Sequence, residues 1–125
     1  MKIRKATTKD FPAIRKLIRA FPEKLLQHNL PPLKSFFIAT DERLIIGCCA
    51  LEIYSKRLAE IRSLSVAREY QGKGIATALI ARCLTEARKR RVYEVISITG
   101  AVSLFEKNGF RMFNNEKYAL LKILK

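Results

Sequence analysis

The sequence predicts an α/β domain with a mixed, mostly antiparallel sheet and helices on both faces, and three observations carry the prediction. Apolar runs at 36–39, 44–54 and 59–66 follow one another across short polar breaks, the pattern of an antiparallel meander. Residues 75–89 repeat apolar side chains at helical spacing. A further strand pattern returns at 92–98, and a strand–helix–strand order implies parallel pairing with the strand before the helix.

The elements follow in order. Residues 2–6 read as a short first strand. Thr7, Thr8, Lys9 and Asp10 then offer helix N-caps, and Pro12 suits an opening helical turn. Ile14, Leu17, Ile18 and Phe21 recur at helical spacing until Pro22 interrupts. Residues 23–28 read as a second short helix, ended by Pro31 and Pro32. Thr40, Asp41, Glu42 and Arg43 join the first two strands of the meander. Ile75, Leu79, Ile80, Cys83, Leu84 and Ala87 form one apolar helix face. Residues 101–107 read as a short helix stopped at Asn108 and Gly109. A final hairpin is expected from 110–113 and 118–124. With no repeat, linker or low-complexity stretch, residues 1–125 read as a single domain.

Composition narrows the partners. Against 11 Asp and Glu stand 25 Lys and Arg, a formal charge of +14. Such a field favours anionic partners, among them nucleic acid, acidic proteins, acidic metabolites or a phosphorylated cofactor, though a solvated basic surface has the same composition. Arg88, Lys89, Arg90 and Arg91 close the predicted long helix, where cations complement the helix dipole. The most apolar stretches, 44–53 and 75–84, are too short and too interrupted to span a bilayer. No apolar signal core follows Met1. The three cysteines, Cys48, Cys49 and Cys83, lack metal-ligand spacing. Reduced thiols in a cytoplasmic protein, with no metal and no membrane contact, are the expectation.

The richest run is Ser63 through Ala76. An apolar strand enters a polar turn, Gly72 and Gly74 follow, and a long helix begins. This order aims successive backbone N–H groups at one point near a positive helix end, which suits phosphate or pyrophosphate. Gly72-Lys73-Gly74 alone is a weak signal. It is neither the dinucleotide fingerprint nor a triphosphate loop.

With its flanks the run becomes specific. Gln71-x-x-Gly74-x-Ala76, after Leu64-Ser65-Val66 and before a long helix, resembles the acyl-CoA signature of the GCN5-related N-acetyltransferases. Ala101-Val102-Ser103-Leu104-Phe105-Glu106-Lys107-Asn108-Gly109-Phe110 is similar to a second segment of that superfamily, a short helix ending in a Glu-Lys-x-Gly-Phe turn. Within it, Cys48-Cys49-Ala50-Leu51, Ala59 through Val66, and Glu86-Ala87-Arg88 resemble short amino-acid N-acetyltransferases of the N-acetylglutamate synthase type. That group usually carries an arginine in the segment matching 25–30, and this chain has none there, which leaves the acceptor open.

The resemblance implies acetyl-CoA as co-substrate. Gln71, Gly72, Lys73, Gly74, Ile75 and Ala76 would hold its pyrophosphate, with Thr77 adding a hydroxyl. Arg68 and Lys73 would add charge near the phosphates. Leu64, Ser65 and Val66 would pair with the pantetheine amides in a gap that a bulge opens between two parallel strands. Leu104 and Phe105 would pack near the thioester. A homodimer through sheet edges or the last hairpin is common in this fold.

Chemistry selects the remaining candidates. An unperturbed lysine is neutral about once in 2,500 molecules at pH 7, so deprotonating it costs about 4.6 kcal/mol. For a peptide α-amine the cost is about 1–1.4 kcal/mol. Glu60 stands near the start of the motif strand, where the resemblance to histone-acetylating members of the superfamily implies a catalytic glutamate, and is the candidate base acting through water. The alternative is a strand-end glutamate paired with Arg62 or a neighbouring lysine. Many superfamily members carry a tyrosine acid where this chain has Phe105, which cannot donate a proton, so water, Tyr93 or Tyr118 would substitute. The amide near Val66 is a candidate oxyanion donor. Arg62 could meet an acceptor carboxylate, and His28 is either an acceptor contact or an exposed loop residue. Cys49 lacks the partnering histidine a nucleophile would need. The sequence thus reads as an N-acetyltransferase acting on a small-molecule primary amine, such as an amino acid, acidic ones included. Its rivals are a protein N-acetyltransferase that recruits an acidic partner, and a non-catalytic module binding RNA through its charge.

Overall fold

The computed structural model describes residues 1–112 and 120–124. Five strands form one sheet in the order β1-β2-β3-β4-β5: β1 Lys2–Lys5, β2 Phe36–Asp41, β3 Leu44–Ile53, β4 Leu58–Val66 and β5 Glu94–Ile96. The first four are antiparallel neighbours, and β5 runs parallel to β4. Three helices accompany them: α1 Phe11–Arg19, α2 Ile75–Lys89 and α3 Val102–Lys107.

Alternation along the strands divides the core in two. Phe37, Ala39, Cys49, Leu51, Ala59 and Ile61 face Ile75, Leu79, Ile80, Cys83 and Ala87 of α2. Phe36, Ile38, Cys48 and Ala50 face Ile14, Leu17 and Ile18 of α1. The period of two in the strands meets the 3.6-residue period of the helices, which is why both faces are covered. Gly47 lets α2 close down: a Cβ there would meet the Ser65 carbonyl at 3.1 Å and Leu79 Cδ1 at 3.2 Å.

The entry to α1 is tied by charge. Arg4 Nη1 and Nη2 donate to Asp10 at 2.8 and 3.1 Å, and the Thr7 amide donates to the same carboxylate at 2.7 Å. Arg4 holds the buried Asp10 carboxyl at about 2, and the Thr7 amide and hydroxyl add to that depression.

Three expectations change. Residues 23–28 form no helix but a chain of turns and bends. Gln27 Nε2 instead donates to the Ile18 and Leu25 carbonyls, each at 3.0 Å. So short a segment after Pro22 gains too few internal hydrogen bonds to offset nucleation. The strand expected at 92–98 narrows to Glu94–Ile96, because Ser97 turns its hydroxyl to the Ile61 carbonyl at 3.2 Å. Of the expected final hairpin, Phe110, Arg111, Met112 and residues 120–124 carry no strand, and 113–119 lie outside the described residues.

Candidate active site

Two faults in the sheet build the site. In the β3–β4 ladder Cys48 pairs with Ser65 while Ala50 pairs with Arg62, so β4 carries one extra residue. Ser63 absorbs it with φ +56°, the left-handed region that costs a non-glycine residue energy. The bulge reverses which face the later side chains address. Ahead of it Ile61 joins the α2 core, while beyond it Leu64 and Val66 do so and Ser65 donates to the Leu17 carbonyl of α1 at 3.1 Å. The second fault is the splay. β5 pairs only with Leu58, Ala59 and Glu60, so the β5-side edge of β4 lies open from Arg62 onward among the described residues.

At the open end the chain makes its glycine turn. A short helical turn at Arg68–Tyr70 leads to Gln71, whose Nε2 donates to the Val66 carbonyl at 3.0 Å and clips the turn to the strand end. Gly72 and Gly74 have φ +77° and +82°, and a Cβ at either would meet nothing within 4 Å. Backbone conformation, not crowding within the protein, is therefore what demands glycine there. The first helical bond of α2 is Ala78 N–H to the Gly74 carbonyl at 3.0 Å. Among the described residues the amides of Gly72, Lys73, Gly74, Ile75, Ala76 and Thr77 donate to no protein acceptor. Six successive N–H groups without a protein acceptor at a helix N-terminus suit a diphosphate.

The charged neighbours divide. Lys73 Nζ lies 5.3 Å from the Tyr70 ring centroid, on the turn itself. Arg68 instead reaches the end of α1, donating to the Ala20 carbonyl at 3.4 Å and stacking 5.0 Å from the Phe21 ring centroid. Thr77 is exposed on the first turn of α2.

At the other end of β4 the α1 face of the sheet carries a polar cluster. Glu52 of β3 is the register partner of Glu60 of β4. Facing carboxylates repel unless each finds its own partner, and here each does. Arg62 pairs with Glu52, the two side chains 20% and 21% exposed, and Arg62 Nη2 donates to the Asn29 carbonyl at 3.0 Å. Tyr54 donates its phenol to Glu60 Oε1. Lost solvation first, then the Glu60 hydrogen bond and the charges of Glu60 and Glu52, push the Tyr54 phenol up to about 12.

The sequence candidates therefore fall into two groups. Leu64, Ser65, Val66, Gln71, Gly72, Lys73, Gly74, Ile75, Ala76 and Thr77 are continuous along the open edge and the turn. Glu60 and Arg62 gather on the other side of the bulge, with exposed His28 one residue before the Asn29 that Arg62 holds. Phe105 is 4% exposed and packs edge-to-face on Phe110 at 5.1 Å, with Leu104 against the same core. The thiols are withdrawn from chemistry. Burial pushes Cys48 up to about 12, and the neighbouring Cys83 sulfur with burial pushes Cys49 well above the thiol range.

Three contributors escape sequence reasoning. Glu52 lies on β3 and Tyr54 just past its end, but only the register with β4 brings them to Glu60. Gly47 looks like one more strand glycine until the α2 side chains are placed over it. Among the described residues no cluster of three or more metal-ligating side chains assembles, and no helix is long and apolar enough to cross a membrane.

Comparison with known proteins agrees with this geometry. Residues 32–112 match the family model described as an acetyltransferase (GNAT) domain. An uncharacterised N-acetyltransferase of Chlorobaculum tepidum is 30% identical over 102 residues, covering 82% of this chain and 63% of that protein. An amino-acid acetyltransferase of Mycobacterium tuberculosis is 34% identical over 116 residues, covering 86% of this chain and 67% of that one. A Mycobacterium tuberculosis structure in complex with CoA and NLQ superposes with TM-score 0.85 at 30% identity, covering 91% of this chain and 74% of that chain. N-acetylglutamate synthase of Neisseria gonorrhoeae, complexed with coenzyme A and N-acetyl-glutamate, gives TM-score 0.82 at 26% identity. The match covers 93% of this chain but 30% of the synthase. The chain thus spans under two thirds of the Chlorobaculum relative and under a third of the synthase.

Proposed function

The chain belongs to the GNAT acetyltransferase domain family, and on that premise we propose that it transfers the acetyl group of acetyl-CoA to the primary amine of a small molecule, an amino acid. The observation that carries the donor half is the row of unpaired amides from Gly72 to Thr77. These groups bind the pyrophosphate without needing a side-chain charge. The open edge of β4 beside Leu64, Ser65 and Val66 takes the pantetheine amides as a substitute strand, since β5 has already turned away. The amide near Val66 stabilises the oxyanion as the amine attacks the thioester carbonyl.

Glu60 receives the amine proton, directly or through one water, so that the nucleophile arrives neutral. Arg62 and His28 border the acceptor. An acceptor carboxylate would compete with Glu52 for Arg62, and this competition sets how well acidic amino acids are used. Phe105 is a packing residue. The departing thiolate therefore takes its proton from water, and proximity supplies much of the rate. Three reduced, buried thiols fit a cytoplasmic setting.

The test has two arms. Acetyl-CoA should raise the melting temperature, whereas no shift at millimolar ligand would remove the donor reading. Thiol release, measured with acetyl-CoA across amino acids, polyamines and peptides, should be fastest with an amino acid. Faster release with peptides would replace the small-molecule reading by protein acetylation.

A further inference from the structure

We infer that Tyr54 is the positioning residue for Glu60: its phenol holds one carboxylate oxygen and leaves the other to accept the amine proton. The inference rests on the reading of Glu60 as base and adds a residue that the sequence motifs do not mark. Tyr54 follows Glu52 by two, one residue past the end of β3, and its phenol reaches Glu60, which stands opposite Glu52. Two carboxylates so placed would turn away from each other or share a proton if unpartnered.

The cluster resolves this by assigning different partners. From β4, Arg62 takes Glu52 and ties it to the Asn29 carbonyl of the loop, leaving no guanidinium contact to Glu60. From just past the end of β3, Tyr54 donates to Glu60 Oε1, and among the described residues Oε2 accepts no hydrogen bond from a protein side chain. From β5 the register neighbour of Glu60 is Ile96, which brings no charge. A phenol has one proton to give and stays protonated far above neutral pH, so its bond fixes the carboxylate without neutralising it. A guanidinium in the same place would fix it too, but would lower its proton affinity much further.

Tyr54→Phe isolates the effect, because the ring stays and only the O–H is lost. With acetyl-CoA and whichever panel acceptor releases thiol fastest, kcat should fall about tenfold. The KM for acetyl-CoA should stay within about twofold, as for a residue that acts on the base alone. In a Glu60→Gln background the same substitution should change kcat by less than about twofold. A Tyr54→Phe enzyme with wild-type kcat, beside an inactive Glu60→Gln, would overturn this inference while leaving Glu60 as base. A fully active Glu60→Gln, or no release with any acceptor, would overturn the underlying reading and this inference with it.

Discussion

The two halves of β4 are built from different materials. Beyond the bulge at Ser63, the strand end and the glycine turn present backbone: an open edge, six free amides, and glycines needed for their positive φ. Before the bulge, the same strand presents side chains: Glu60 and Arg62, met by Glu52 of β3 and by Tyr54 just past its end. A backbone site recognises what every acyl-CoA shares, a diphosphate and amides. A side-chain site recognises what differs between amines. On the proposed reading, one inserted residue separates a constant donor site from an adjustable acceptor site.

That separation can be broken from either side. The largest effect is expected from Glu60→Gln, which should lower kcat by about 10²–10³-fold and leave the acetyl-CoA affinity unchanged. A matching loss of acetyl-CoA affinity would show that the halves are coupled. On the donor side, Gly74→Ala places a Cβ on a residue at φ +82°, costing about 1–2 kcal/mol. Acetyl-CoA should then bind roughly tenfold more weakly by calorimetry, with the acceptor KM unmoved.

Gly47→Ala sharpens the comparison from beneath. Its new methyl would press on the Ser65 carbonyl and the Leu79 side chain, lifting α2 from β3. Overpacking of this kind costs about 1–3 kcal/mol, and chemical denaturation should show it. Because α2 carries the turn, acetyl-CoA affinity should fall with stability, while a change in stability alone would detach the turn from that contact.

The smallest effect lies away from both halves. Asp10 has its carboxyl at about 2, below the ordinary 3.8, with the Arg4 hydrogen bonds as the leading cause. A depressed carboxylate contributes fully above about pH 4 and loses its contribution as pH falls through about 2. With Arg4 half exposed, the stability at stake is about 1–2 kcal/mol. Asp10→Asn should remove that part of the acid dependence of unfolding, and catalysis at neutral pH should be unaffected.

The donor half was legible because its signals are local. A glycine at positive φ, a helix start and an apolar strand lie within one short run, and each has a sequence preference of its own. The acceptor half was only partly legible. Glu60 and Arg62 stand on the motif strand, but their partners come from the C-terminal end of β3 and the residue after it, and nothing in the order Leu51-Glu52-Ile53-Tyr54 says which β4 residue will face each. The expected helix at 23–28 failed for a related reason. There the Lys24 and Leu25 amides close turns on the Phe21 carbonyl, and Gln27 reaches back to the Ile18 carbonyl of α1, a packing contact that local propensity does not show.

By itself, then, the sequence determined the sheet, the two-sided core, the glycine turn and the donor it suits, because periodicity and backbone conformation are properties of neighbouring residues. Tertiary structure alone decided that Arg62 is committed to Glu52 and Asn29, that Tyr54 holds Glu60, and that Gly47 makes room for α2. Those contacts depend on strand register and on one bulge, and a shift of a single residue would send every one of these side chains to the opposite face.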